Sequence, residues 1–152
     1  MSYLPKFSKL DSIAIYSNSD ISDLLNFKGF QAKDIFISTS SPLTIHNGTF
    51  NNMKKLNSLI IKSNKIVFKE GSVVNCKELV TFDPSSDDAV VFEANSIKNI
   101  GILEFKIQPN FQLEIGSFSK CSELENITLA RGVTTFSGGY FLDCEKMRNV
   151  KT

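Results

Sequence analysis

The chain of 152 residues contains no tryptophan, one histidine, four prolines and three cysteines. It has no apolar run approaching the ~18 residues that a membrane helix needs, so no membrane span is expected. Neither sign of charge dominates, since 17 basic and 16 acidic side chains leave a formal net charge of +1. Without a basic stripe to displace counterions, nucleic acid is not an expected partner. An odd cysteine count argues against a disulfide framework, and no CxxC spacing provides for zinc. His46 stands alone in a His-Asn-Gly turn, and Gly138-Gly139 is followed by no Lys-Ser/Thr that would complete a phosphate cradle. Asp83, Asp87 and Asp88 gather around Pro84-Ser-Ser in a spacing foreign to an EF-hand loop. No cofactor, metal or catalytic constellation is therefore expected. The N-terminal residues carry no basic segment leading into an apolar one, so the expected compartment is the cytoplasm. A piece of a longer secreted protein would instead belong at the cell surface.

What the chain does contain is a period. Phe118, Cys121, Leu124, Ile127 and Leu129 recur one unit later as Phe141, Cys144 and Met147. The same frame fits Phe50, Met53, Leu56, Leu59 and Ile61, then Val73, Cys76, Leu79 and Phe82, then Ile97, Ile100 and Leu103. It also fits Leu4, Phe7, Leu10, Ile13 and Ile15. The strand-like mark falls at Ile13, Ile35, Leu59, Phe82, Phe105 and Ile127, at intervals of 22, 24, 23, 23 and 22 residues. A second apolar pair lies between marks: Leu43/Ile45, Ile66/Phe68, Val90/Phe92, Phe111/Leu113 and, one residue wider, Val133/Phe136. The first full unit is the least regular, with Lys33 where a leucine is expected. A fixed period of this length marks a solenoid, whose units bury their apolar faces only by stacking. Residues 1–152 therefore read as one continuous array.

Within one unit, Leu59 to Lys62 predicts a short strand with Leu59 and Ile61 inward. Ser63-Asn64 and Glu70-Gly71-Ser72 are turn chemistry, and Ile66 to Phe68 is a second extended run. Val73, Cys76 and Leu79, at i, i+3 and i+6, predict one short helical or 3-10 turn. Because Met53 and Ile100 share the slot of Cys76, Cys121 and Cys144, the cysteines are expected to be free thiols serving as small core residues. Phe118 and Leu124 are expected to be almost fully buried.

The sequence from Gly116 to Leu129, GSFSKCSELENITL, resembles the BspA-like class of leucine-rich repeats, as does Gly71 to Leu79. The resemblance implies a leucine-rich-repeat solenoid of about six stacked coils of 22–24 residues. A narrow parallel strand ladder would occupy one side, with short strands and 3-10 or helical turns opposite. It also implies a non-enzymatic recognition or adhesion module, and it carries over no catalytic residue. The alternatives are a cell-surface adhesin of the same fold and a groove-type carbohydrate-active enzyme.

Two surfaces are candidates for binding. Alternation along the first ladder turns Ala14, Phe36, Ile60, Asp83, Lys106 and Thr128 outward, and it brings Tyr16 beside Phe36 and Ile60. A register shifted by one residue would turn them inward instead. As read, Tyr16, Phe36 and Ile60, rimmed by Asp34 and Lys62, make an aromatic-aliphatic patch suited to a protein partner. Asp83 and Lys106 would form a cross-strand pair. At the C-terminal end, Val133, Phe136, Phe141, Met147 and Val150 would leave apolar surface and a strand edge open, suggesting a homodimer through the solenoid end.

Overall fold

The computed structural model describes residues 9–152. Leu4 and Phe7 of the first repeat copy lie outside the described residues. The rest winds into a parallel β-solenoid of about six turns with three sides. The first side carries β1 (Ser12–Ser17), β2 (Asp34–Thr39), β5 (Ser58–Ser63) and β8 (Thr81–Ser86) in one ladder. It continues, after a break, with β11 (Glu104–Ile107), β14 (Asn126–Leu129) and β16 (Asn149–Lys151). The second side stacks β3 (Leu43–Ile45), β6 (Ile66–Phe68), β9 (Val90–Phe92) and β12 (Phe111–Leu113). The third stacks β4 (Phe50–Asn51), β7 (Val73–Val74), β10 (Ile97–Lys98), β13 (Phe118–Ser119) and β15 (Phe141–Leu142).

The third side refines the expectation of a helical turn. Val73 and Val74 are a two-residue strand, Asn75 turns the chain at φ 58°, and Leu79 N–H closes one i→i+3 bond to Cys76 O. A strand residue followed by a tight turn also spaces apolar residues three apart, which is why periodicity alone suggested helix. Among the described residues, 3-10 geometry is confined to Ser22–Leu24 and Gly138–Tyr140. Asparagine tolerates the left-handed region better than most residues, and stacked coils reuse it at the same corner. Asn52, Asn75 and Asn99 all have φ between 56° and 58°. Their amides bond coil to coil, Asn75 Nδ2 donating to Asn52 Oδ1 (3.2 Å) and Asn99 Nδ2 to Asn75 Oδ1 (2.8 Å).

Inside the coils like side chains lie over like. Phe68 stacks on Phe92 with centroids 5.0 Å apart, and Phe27 stacks on Phe50 at the same distance. Phe92, Phe118 and Phe141 continue the column at 5.3 Å steps. Phe118 and Leu124 are fully buried, as expected. A ring pair of this kind adds about 0.5–1.5 kcal/mol beyond its area.

The cysteines divide. Cys76 and Cys121 are buried free thiols, whereas Cys144 is a free thiol at a half-buried position of the last coil. Burial pushes Cys76 up to about 11. The adjoining sulfur of Cys144, followed by burial, holds Cys121 protonated, and the same contact brings Cys144 down to about 7. The core-slot reading fits Cys76 and Cys121. Cys144 departs from it because less chain packs over its coil.

The break in the first ladder has a local cause. Met53 to Leu59, Cys76 to Phe82 and Cys121 to Ile127 each span six residues, but Ile100 to Phe105 spans five. The shorter corner forms no i→i+3 turn and shifts the inward slot, so Ile102 is buried and Leu103, expected inward, is 56% exposed. Phe30 to Ile35 is equally short, and there Ala32 takes the core slot while Lys33 points outward. Since β1 and β2 remain paired, a short corner alone does not open the ladder. The second condition is Pro84, aligned with Ile61 in β5. Because Thr81 N–H donates toward β5, alternation aims the Pro84 nitrogen at β11, where a ladder donor is required. The expected Asp83–Lys106 pair is therefore absent: β8 and β11 do not pair, and no ion pair joins these two residues.

Candidate functional site

The outward register holds in the structure. In β2 and β5, Ile35, Ile37, Leu59 and Ile61 are buried, whereas Phe36 and Ile60 are half-exposed. Ala14, Phe36, Ile60 and Asp83 lie in one cross-strand row, paired in register. Tyr16, Ser38, Lys62 and Ser85 form the next row. With strands about 4.8 Å apart, the diagonal brings Tyr16 onto Phe36. Their ring centroids are 5.6 Å apart at a tilt of 47°, and the Tyr16 side is 75% exposed. Lys62 Nζ stands 5.9 Å over the same Phe36 ring, a cation–π distance. Asp34 closes the opposite end of the strand, its Oδ2 accepting a weak bond from Ser12 Oγ at 3.5 Å. All five expected patch residues thus share one face, with Phe36 at the centre. Phe36 is held against its neighbours while Tyr16 projects, so the patch joins a seated ring to an exposed aromatic edge.

The C-terminal rim is assembled differently. Val133, Phe136 and Met147 are half-buried against the core, and Phe141 is buried beneath them, 5.3 Å from Phe118 and 6.4 Å from Phe136. Val150 is 48% exposed on β16, which pairs with β14 on one edge. Among the described residues nothing pairs with the other edge of β16.

A family model described as the BspA type leucine rich repeat region (6 copies) matches residues 5–90 and 44–152, together nearly the whole chain. The chain belongs to the BspA-type leucine-rich repeat family. No curated protein and no solved structure matches it. None of the patch residues occupies an inward slot of the repeat.

Chemistry elsewhere on this BspA-type chain is sparse. His46 Nε2 lies 3.1 Å from Asp23 Oδ1, an exposed pair that the sequence did not suggest because the acid comes from the irregular first unit. No cluster of metal-ligating side chains occurs among the described residues. None of the described helices is long and apolar enough to cross a membrane.

Proposed function

We propose that this leucine-rich repeat chain is a non-enzymatic interaction module that presents the first ladder face of its N-terminal half to a protein partner. The observation that carries the reading is the contiguity of Tyr16, Phe36, Ile60 and Lys62 on a rigid sheet, where polar residues are otherwise expected. Aromatic and cationic anchors at the centre of a surface, with a charged rim, have the composition of an interface hot spot. The partner would meet the Phe36 ring and the Tyr16 edge, and Asp34 and Lys62 would fix its orientation.

The test is an affinity capture with the wild-type chain beside the Phe36→Asp, Ile60→Asp double variant. Both side chains point outward, so the variant should keep its circular dichroism. A partner held by the wild type should lose about 30-fold or more in affinity, since one hot-spot residue is worth about 2 kcal/mol. A partner that binds both proteins equally would remove the patch from consideration.

A second association surface is favoured by the open edge of β16 and the half-buried apolar rim of Val133, Phe136 and Met147. We infer that two copies meet there about a two-fold axis, which would pair the β16 edges antiparallel and cover Val150. Light scattering at micromolar concentration should give a dimer mass that Val150→Asp reduces to that of a monomer. A monomeric wild-type mass would dispose of the contact. Val150 is the better probe than Phe141, whose burial makes its substitution a folding defect.

A further inference from the structure

The break between β8 and β11 opens a cleft of about 610 Å³ on the first ladder face. Its walls are two strand edges. Thr81 N–H donates to Asn57 O, so the alternation of a parallel ladder aims the Phe82 N–H and the Phe82 and Pro84 carbonyls away from β5 and into the cleft. Opposite, Glu125 and Asn126 N–H both donate to Leu103 O, which leaves the N–H and C=O groups of Glu104 and Lys106 aimed back at β8. No backbone hydrogen bond joins the two strands. Every other neighbouring pair of strands on this side is bonded.

The opening is local. On the other two sides β9 pairs β12 and β10 pairs β13, so the coils stay stacked around it. Phe82 and Phe105, both buried with centroids 6.4 Å apart, form the floor and keep the cleft out of the core. One end holds an orphaned hydroxyl. Ser63 and Thr39, at the same level of the ladder as Ser86, donate to the carbonyls of Ser41 (2.7 Å) and Ser19 (3.3 Å). Ser86 Oγ lines the cleft, is shielded from solvent and has no partner.

We propose that this cleft binds an extended polypeptide segment of a partner protein, inserted between β8 and β11 and bonded through its backbone to both edges. The groups left open dictate the class of ligand. They are amide N–H and carbonyl groups repeating every second residue along two facing edges, and an extended peptide carries the same alternation at the same rise of about 3.3 Å per residue. An oligosaccharide would need several exposed rings to stack on, whereas Phe82 and Phe105 are buried and Phe111 alone of the lining rings is half-buried. Pro84 keeps the site open, because it cannot donate to β11 and its ring occupies the donor's place. Asp83 and Glu104 outweigh Lys106 on the rim, which favours a segment with a basic side chain. The proposal does not rest on the Phe36 patch, which lies on the other strands of this face.

The experiment uses the full chain and a phage-displayed library of random short linear peptides, with Pro84→Ile as the closing variant. Isoleucine stands at the aligned positions Ile37 and Ile61, so the variant should fold and complete the ladder. In the free wild type, amide exchange at Phe82, Glu104 and Lys106 should be fast beside that of Leu59 and Ile127. Selected peptides should slow those three amides and should bind Pro84→Ile at least about ten-fold more weakly, about 1.4 kcal/mol. They should also lose binding when alternate backbone nitrogens are methylated, a readout that needs no protein variant. The Phe36→Asp, Ile60→Asp variant should bind them unchanged, which separates this site from the patch. The proposal is overturned if the library yields no binder, if binding survives N-methylation in both alternating sets, or if the Phe82 and Lys106 amides are already protected in the free protein.

Discussion

Phe92→Ala should lower the free energy of unfolding by about 3–5 kcal/mol, a large share of the 5–15 kcal/mol that holds a typical domain together. Phe92 is fully buried, stacked at 5.0 Å on Phe68 and within 5.3–6.4 Å of Phe82, Phe105, Phe111 and Phe118. Among the described residues only Phe105 meets as many rings on both sides of the ladder break. Its loss opens a cavity beneath the one junction where the first ladder gives no support. Solenoid stability is a sum of coil and neighbour terms, so weakening that junction should cost cooperativity as well. Urea denaturation should show either a lowered midpoint or two separated transitions, for the coils before and after the break. Tyr16→Ala, a change at an exposed edge, should stay within about 0.5 kcal/mol. A loss below roughly 1 kcal/mol for Phe92→Ala would mean that the phenyl column is not the spine of the array.

The architecture was legible in the sequence because the solenoid repeats its inward slots. Six marks at near-constant intervals identify the ladder, and one correctly placed pair, Leu59 and Ile61, fixes which residues point out. The five patch residues followed from that register alone. Three features did not follow from it, each for a physical reason. A strand-plus-turn and a helical turn give the same three-residue spacing, so the spacing alone predicts a helical third side. The half-exposure of Cys144 depends on how much chain covers its coil, which a slot pattern does not report. The ladder break was present in the spacing, as five residues from Ile100 to Phe105 instead of six. Averaging the period hid it, because the shortfall was absorbed by the longer connection from Phe82 to Val90. Pro84, standing in a slot held by Ile15, Ile37 and Ile61 on the preceding strands, is the second visible sign.

Gly101→Ala should be the most damaging glycine substitution in the chain. A Cβ there would stand 2.1 Å from Lys77 O, 3.0 Å from Lys77 C and 3.3 Å from Leu79 O, all backbone atoms of the preceding coil. Backbone cannot rotate away as a side chain can, so the two coils must separate at that corner. Overpacking of this kind costs typically about 1–3 kcal/mol, and a clash with main chain belongs at or above the upper end. Two other glycines set the scale. Gly138→Ala meets nothing within 4 Å and should be nearly neutral. Gly71→Ala meets the Asn47 amide, which can swing aside, and carries mainly the strain of φ +70°, about 1–2 kcal/mol. Denaturation of the three variants should therefore rank Gly101 above Gly71 above Gly138. Equal losses at Gly101 and Gly138 would mean that the short corner is not tight. This corner is one residue short, so inserting a single residue after Ile100 in the Gly101→Ala background should return much of the loss. The insertion restores the six-residue spacing of the other corners and allows the i→i+3 turn that Leu79 and Leu124 make. A corner whose glycine served only flexibility would gain nothing from the added residue.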